Sequence, residues 1–128
     1  EARVAELLAG YHGPAAVMSF NPNAVAALAA AAPAVARGLT TCDFEAADWS
    51  LPDYRRAELA SLADAGRVGA SFISHDRRSL DSEPVARLKA QGLAILTWTI
   101  RTPAEEAAAR KIADNITFEG YRPPLRAA

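Results

Sequence analysis

The 128-residue sequence contains 51% hydrophobic residues and carries a net charge of −1 at pH 7, as is typical of a single folded domain. This charge balance argues against nucleic-acid binding, and no apolar run approaches the roughly 18 residues that a membrane span needs. The single cysteine, Cys42, excludes an internal disulfide and a thiolate metal cluster; it fits a reducing compartment, so we predict a cytoplasmic location.

The first third of the chain shows helical and strand-like apolar patterns in alternation. Periodicity predicts a helix over 2–9 and a short apolar strand over 15–20. Asn21 is a good N-cap and Pro22 suits the first helical position, so a second helix begins there. A second strand is predicted over 35–41.

The remaining elements continue the same alternation. They are a helix over 53–66 that ends at Gly66, a strand over 67–74, a helix over 82–92, a strand over 93–100, a helix that begins at Thr102, and a strand over 115–118. Thr102 and Glu105 have the spacing of a capping box with Pro103 between them, and Glu106 and Arg110 are spaced for an ion pair.

Strands that are apolar on both sides and separated by helices indicate an α/β fold with a parallel sheet covered by helices. Two architectures fit this pattern. One is an open five-stranded doubly wound sheet of flavodoxin-like size, and the other is an incomplete (βα)8 barrel. In both, functional side chains gather at the carboxyl ends of the strands.

Several candidate residues lie at or just past the predicted strand ends. They are Ser19, Phe20, Asn21, Thr40, Thr41, His75, Asp76, Trp98, Thr99, Arg101, Thr117 and Glu119. Trp98 and Phe20 fit either the wall of a pocket or plugs of the core. His75 has the chemistry of a general base, with capping of a loop by Asp76 as the alternative account of this dipeptide.

The segment after the second strand, "CDFEAADWSLP", carries three carboxylates. Asp43, Glu45 and Asp48 are oxygen ligands of the kind that Mg²⁺ or Ca²⁺ prefers, but their spacing matches no ligand loop, which favours a solvated acidic loop. His12 and Cys42 have no sequence neighbours that would complete a metal site, and no glycine-rich phosphate cradle is present.

Two long stretches, "VMSFNPNAVAALAAAAPAVARGLT" and "GLAILTWTIRTPAEEAAARKIADNITFEGYRP", resemble the C-terminal portion of the glycerophosphodiester phosphodiesterase family. Ser19-Phe20 and Trp98-Thr99 match two strand ends of that family. The resemblance implies that 1–128 is a single-domain fragment equivalent to strands four to eight of a TIM (βα)8 barrel. It also implies hydrolysis of glycerophosphodiesters to glycerol 3-phosphate and an alcohol, with a divalent cation (Mg²⁺ or Ca²⁺) and two histidines.

The sequence departs from the family pattern in two ways. The family's last strand usually ends in Thr-Asp-Arg-Pro, whereas here Thr117 is followed by Phe118-Glu119-Gly120-Tyr121, so that Glu119 stands near the place of the Asp. The family's His-Arg, Glu-x-Asp, His-Asp and Glu-x-Lys pairs belong to its first strands and have no counterpart here, and His75-Asp76 lies in a different strand. The resemblance therefore implies that the catalytic residues and metal ligands are not in this chain.

What remains for this chain is the substrate-side wall of the pocket, by which we mean the side chains that contact the substrate without reacting with it. The predicted contacts are Trp98, Phe20, Ser19, Glu119 and His75. The expected partners are a small glycerophosphodiester and, at two unpaired sheet edges, either a missing N-terminal barrel half or a second copy.

The chain starts at a glutamate already in a helical pattern, so we expect it to be cut from a longer protein. The resemblance implies that this longer protein is a phosphoric diester hydrolase and that the present chain, without the catalytic residues, is inactive alone. The alternatives are a non-catalytic α/β binding or regulatory module and an unrelated flavodoxin-like domain.

Overall fold

The computed structural model describes residues 1–45 and 47–124. Helices and strands alternate through this part of the chain. They are α1 (Ala2–Ala9), β1 (Ala16–Ser19), α2 (Pro22–Ala31), β2 (Ala36–Thr41), α3 (Asp53–Ala60), α4 (Asp64–Arg67), β3 (Phe72–Asp76), α5 (Glu83–Ala90), β4 (Ala94–Ile100), α6 (Pro103–Ala109) and β5 (Asn115–Phe118). A short 3-10 turn over Arg77–Ser79 directly follows β3.

The five strands form one parallel sheet in the order β1-β2-β3-β4-β5, so each strand pairs with the next one in the chain. The sheet curls into a half-barrel, which confirms the prediction of a partial TIM barrel. The doubly wound alternative is wrong, because that fold requires the strand order to reverse within the sheet.

The helices cover one face of the sheet and build the main core against it. Ile73 of β3 and Ile95 of β4 are fully buried there, together with Val25 of α2 and Val85 of α5. Side chains alternate between the two faces along a strand. The residues of β3 that lie an even number of positions from Ile73 therefore face the helices, and the others face the concave side of the half-barrel.

The concave side is tightly packed at one point. The ring of Phe72 lies directly over the backbone of Gly38, its register partner on β2. A Cβ atom added at Gly38 would stand 2.4 Å from that ring, so the close approach of β2 and Phe72 depends on a glycine at this position.

The helix predicted over 53–66 is wrong in its second half, because the helix ends at Ala60 and α4 starts at Asp64. Leu62 has a left-handed backbone (φ 57°) and buries its side chain in the core. The Ser61 hydroxyl donates to the carbonyl of Glu58 and thereby covers one of the carbonyls left free at the helix end. Tertiary burial of a leucine thus overrides an otherwise continuous helical pattern.

The strand predicted over 67–74 begins five residues later than expected and ends at Asp76. Arg67 still belongs to α4, and Gly66, the predicted helix end, lies inside that helix. The left-handed residue after the helix is Gly69, with φ 61°. As a consequence, His75 and Asp76 lie within β3 rather than beyond it.

The predicted helix starts at α2 and α6 are confirmed. The Asn21 side chain accepts a hydrogen bond from the N–H two residues on (3.0 Å), and the Thr102 hydroxyl accepts one from the N–H of Glu105 (3.2 Å). The second hydrogen bond of the predicted capping box is not the expected one. The Glu105 carboxylate accepts from the N–H of Arg101 rather than from that of Thr102.

The predicted pair on α6 is also confirmed. Arg110 Nε lies 2.6 Å from a carboxylate oxygen of Glu106, and both side chains are nearly buried. The Tyr121 hydroxyl donates to the other oxygen of the same carboxylate at 3.0 Å. This network attaches the segment after β5 to α6.

Candidate functional site

Four aromatic rings meet at the carboxyl ends of β1, β2 and β4. The Phe20 ring centroid lies 5.6 Å from that of Trp98 in an edge-to-face arrangement and 5.1 Å from that of Trp49. Phe44 lies 4.9 Å from Trp49. We call these four residues the aromatic cluster; they occupy the edge of the sheet at which parallel α/β proteins bind their ligands.

The segment 42–52 carries half of this cluster. Phe44 adopts a left-handed backbone (φ 54°) and its side chain is buried, while the Cys42 sulfur accepts a hydrogen bond from the Phe44 N–H. Burial raises the pKa of the Cys42 thiol, and a hydrogen bond with Trp49 is among the contacts that oppose this rise. The sequence pointed to an acidic surface loop here and missed Phe44 and Trp49, although two aromatics in a short loop after a strand are a usable signal.

Trp98 is held in place by the strand next to its own. Its indole N–H donates to the carbonyl of Ser74 on β3 at 2.9 Å, and Trp98 itself lies within a register shift between β4 and β5 that extends from Thr97 to Ile100. Trp98 pairs in register with Asp76, so it faces the concave side together with Ser74 and Phe72. The structure thus brings the predicted site residues Trp98 and Phe20 together.

His75 lies on the opposite, helix-facing side of β3, in line with Ile73. Its Nδ1 atom lies 2.8 Å from the Thr41 hydroxyl and its Nε2 atom 3.0 Å from the Ser79 hydroxyl, so both nitrogens are hydrogen-bonded. Burial lowers the pKa of His75, and the charge of Asp76 only partly opposes this. The structure does not bring His75 together with Trp98, and its contact with substrate stays a prediction.

Asp76 closes the turn that follows β3. Its carboxylate accepts hydrogen bonds from the backbone N–H of Arg78 (2.9 Å) and from the guanidinium of the same residue (2.8 Å). Burial by itself raises the pKa of Asp76, but these bonds outweigh it, and the net pKa is lowered. Arg78 also lies 3.5 Å from Asp48, which ties the turn to segment 42–52.

The two other predicted site residues lie at opposite edges of the sheet. Ser19 ends the edge strand β1, and its hydroxyl accepts a hydrogen bond from the N–H of Asn21. Glu119 follows the edge strand β5 and is paired with Arg101 at 2.6 Å on the surface. Neither joins the aromatic cluster directly, and their contacts with substrate stay predictions.

In the described residues, no group of three or more His, Cys, Asp or Glu side chains is arranged to hold a metal ion. The carboxylates of Asp43, Glu45 and Asp48 therefore do not form such a group. Over the same residues, no helix has the length and apolar character required to cross a membrane.

Sequentially ordered parallel βα units that curl into a half-barrel, with aromatic side chains at the carboxyl rim, define this chain as part of a (βα)8-barrel protein. The model of the glycerophosphoryl diester phosphodiesterase family matches residues 2–116. The chain belongs to this family, as the resemblance of its strand ends predicts.

Solved structures show the same fold. A phosphodiesterase from Oleispira antarctica, in complex with the product sn-glycerol-3-phosphate, superposes with a TM-score of 0.68 at 19% identity over 91% of this chain and 44% of its own length. A glycerophosphodiester phosphodiesterase from Parabacteroides distasonis gives a TM-score of 0.53 at 20% identity over 80% and 37%. The chain thus spans less than half the length of these relatives, and no curated protein matches it in sequence.

Proposed function

We propose that this chain is the portion of a glycerophosphodiester phosphodiesterase that supplies the substrate-side wall. The observation that supports the proposal is the aromatic cluster at the carboxyl rim of a half-barrel that belongs to this family. Trp98 has a fixed ring orientation and a partly exposed surface on the concave side, as a wall for the carbon skeleton of a small polar substrate requires.

In this proposal the glycerol end of the substrate packs on Trp98 and Phe20. The hydroxyl of Ser19 and the carboxylate of Glu119 reach the substrate from the two ends of the sheet, and His75 keeps the strand ends of β2 and β3 together beneath it. The expected reaction of the whole enzyme is hydrolysis of the diester to glycerol 3-phosphate and an alcohol, as in the family to which the chain belongs.

The divalent cation that the family implies finds no fitting ligand set among the described residues, as no suitable group of carboxylates or imidazoles converges there. We therefore assign no metal-dependent step to this chain. The metal ligands and the catalytic histidines belong, in this proposal, to a part of the barrel outside these 128 residues.

The partner that would complete the barrel has two surfaces to occupy. Among the described residues, β1 and β5 each have one side without a neighbouring strand, and Met18 and Phe118 on these strands are about half exposed. A polypeptide that supplies further parallel strands would pair with both edges and cover both side chains. We propose the N-terminal half of a longer enzyme as this polypeptide.

The experiment compares the chain alone with a completed barrel. The purified chain, loaded with Mg²⁺ or Ca²⁺, should release no glycerol 3-phosphate above background from glycerophosphoglycerol. Mixed with or fused to a polypeptide that carries the family's first strands, it should do so, and Trp98→Ala should raise KM in that assembly. Steady hydrolysis by the clean chain alone would contradict the assignment of the missing parts.

If the completed barrel binds glycerol 3-phosphate without hydrolysing the diester, the alternative of a non-catalytic binding module takes the place of the enzyme.

A further inference from the structure

We propose that the two edges of the sheet bind each other in different copies of this chain, with α1 of one copy packed on the outer face of β5 of the next. The inference goes beyond the proposed function, in which an N-terminal half occupies the same edges. It depends on an exposed helix at one edge and an uncovered groove at the other.

The β1 edge presents a helix whose apolar face is left uncovered. α1 packs against α2, and none of its own residues is buried. Val4 and Leu7 share one face of the helix and are 43% and 63% exposed, and Tyr11, just past its end, is 57% exposed. An apolar stripe of this kind on a helix of an α/β protein normally covers a sheet.

The β5 edge presents a strand without a helix over it. Each of β1 to β4 is followed by a helix, whereas no helix follows β5 within the described residues. Ile116 packs against the main core, and Phe118, two positions on, shares its outward face. Together with Pro123 and Pro124 these side chains line a groove of about 740 Å³.

The walls of this groove are already held in place. The Tyr121 hydroxyl donates to Glu106 at 3.0 Å and so fixes the segment after β5 against α6. The Phe118 ring lies 5.9 Å from the Tyr121 ring in an edge-to-face arrangement and is still 48% exposed. A helix that docks here therefore does not have to order the groove first, which lowers the cost of binding.

The order of the sheet determines how the two surfaces meet. A second copy placed beyond β5 continues the strand order, with its own β1 parallel to β5 of the first copy. A helix that leads into a strand of a parallel sheet lies over that strand and the one before it, because such connections are right-handed. α1 of the second copy therefore lies over β5 of the first, where its apolar face fills the groove.

The charges of the two surfaces permit this contact. With its N-cap, α1 carries two carboxylates, Glu1 and Glu6, against the single guanidinium of Arg3. At the groove, Arg110 is paired with a carboxylate of α6, and Arg122 makes no ion pair in the described part of the chain. The unpaired Arg122 approaches a helix whose side chains carry a net negative charge, which adds a small attraction to the apolar contact.

The test mixes two variants that each remove one of the two surfaces. Leu7→Lys places a charge on α1 and Phe118→Lys places one in the groove, both at exposed positions; Val4→Lys replaces the first if it fails to fold. We expect the native chain to associate as its concentration rises and each variant alone to stay monomeric in sedimentation velocity. An equimolar mixture should form a 1:1 complex, because one variant still offers α1 and the other still offers the groove. Native mass spectrometry identifies this mixed pair, since the two variants differ in mass.

Tyr54→Lys is the matched control, since it changes an exposed aromatic residue on α3, away from both edges, and should associate like the native chain. A mixture that stays monomeric while the native chain associates would overturn the proposal, because mixing cannot restore a contact between two like surfaces. Association of either variant alone at native strength would overturn it as well, and so would a native chain that is monomeric up to about 1 mM. Hydrolysis by a completed barrel tests the proposed enzyme separately, since an N-terminal half in the same polypeptide covers both surfaces.

Discussion

His75 is enclosed by hydroxyl groups and apolar side chains, and this environment favours its neutral form. The imidazole is 2% exposed and bonded to Thr41 on β2 and Ser79 in the 3-10 turn. Protonation would place a charge between groups that cannot neutralise it, although Asp43 and Asp76 lie near enough to lessen the cost. His75 therefore joins two neighbouring elements in a way that depends on pH.

We predict that the free energy of unfolding falls when the pH is lowered through 6.5, the ordinary pKa of histidine. The pKa of His75 is lower in the folded state, so between the two values the unfolded chain binds more protons and stability decreases on acidification. Urea unfolding at about pH 7.5 and about pH 5.5 should differ by roughly 1 kcal/mol more in the native chain than in His75→Gln.

His12→Gln is the control for this comparison, since His12 is exposed and is the other histidine of the chain. It should keep the pH dependence of the native protein. An unchanged pH dependence in His75→Gln would mean that His75 does not titrate differently in the folded state.

Trp98 contributes through both its ring and its indole N–H. We predict that Trp98→Phe lowers the free energy of unfolding by about 1–2 kcal/mol, because the hydrogen bond to the Ser74 carbonyl is lost while the aromatic contact with Phe20 remains. Trp98→Leu should cost about 1 kcal/mol more, since the edge-to-face ring pair is also removed. If urea unfolding gives the same loss of stability for Trp98→Phe and Trp98→Leu, the indole N–H alone matters. Tyr54→Phe is the control: the Tyr54 ring is exposed, so this variant should be as stable as the native chain.

At the scale of elements, the close approach of β2 to the Phe72 ring of β3 limits the size of the side chain at position 38. We predict that Gly38→Ala destabilises the chain by about 1–3 kcal/mol, because the added methyl group would meet the Phe72 ring. Gly66→Ala in α4 is the matched control, as its added methyl group would meet no atom within 4 Å and should stabilise the chain slightly. Thermal unfolding of the two variants measures both changes in stability. If Gly38→Ala is as stable as the native chain, the Phe72 ring moves aside freely.

Elements whose signals are local were predictable from the sequence. The N-caps Asn21 and Thr102 act on N–H groups within three residues, so the starts of α2 and α6 follow from a few neighbouring side chains. The break at Leu62 was not predictable, because it depends on burial of a leucine against distant strands. The late start of β3 has a similar cause, since an apolar run does not tell which of its residues find a partner strand.

The residues of the candidate site also include some that local sequence signals predicted and some that they did not. Phe20 and Trp98 were predictable because strand ends of parallel sheets meet at one rim, whatever the details of packing. Trp49 was missed, because its acidic neighbours favoured an exposed loop and its contact with Phe20 is tertiary; the local signal was the second aromatic, Phe44, in the same short loop. His75 was expected beyond a strand end, and its place within β3 turns it towards the helices.

At the scale of the whole molecule, the two sheet edges govern how the chain behaves in solution. We predict that the chain alone associates as its concentration rises. In the part of the chain that the structure describes, β1 and β5 each have one side without a neighbouring strand and carry half-exposed apolar side chains. Met18→Lys combined with Phe118→Lys should shift sedimentation profiles towards the monomer. Tyr54→Lys, which changes an even more exposed residue away from both edges, should not.

Association that persists unchanged in the double variant would show that the contact lies elsewhere, for instance on the apolar side chains that α1 exposes, Val4 and Leu7.

The strict succession of strands across the sheet also has a consequence for synthesis. Each strand from β2 to β5 pairs with the strand made just before it, so its partner has already left the ribosome when it emerges. The sheet can therefore grow in one direction during translation, and from β2 onwards each new strand finds a partner that is already made. Each new strand pairs after closure of only the short stretch of chain that connects it to the preceding strand, and such local pairing favours fast folding.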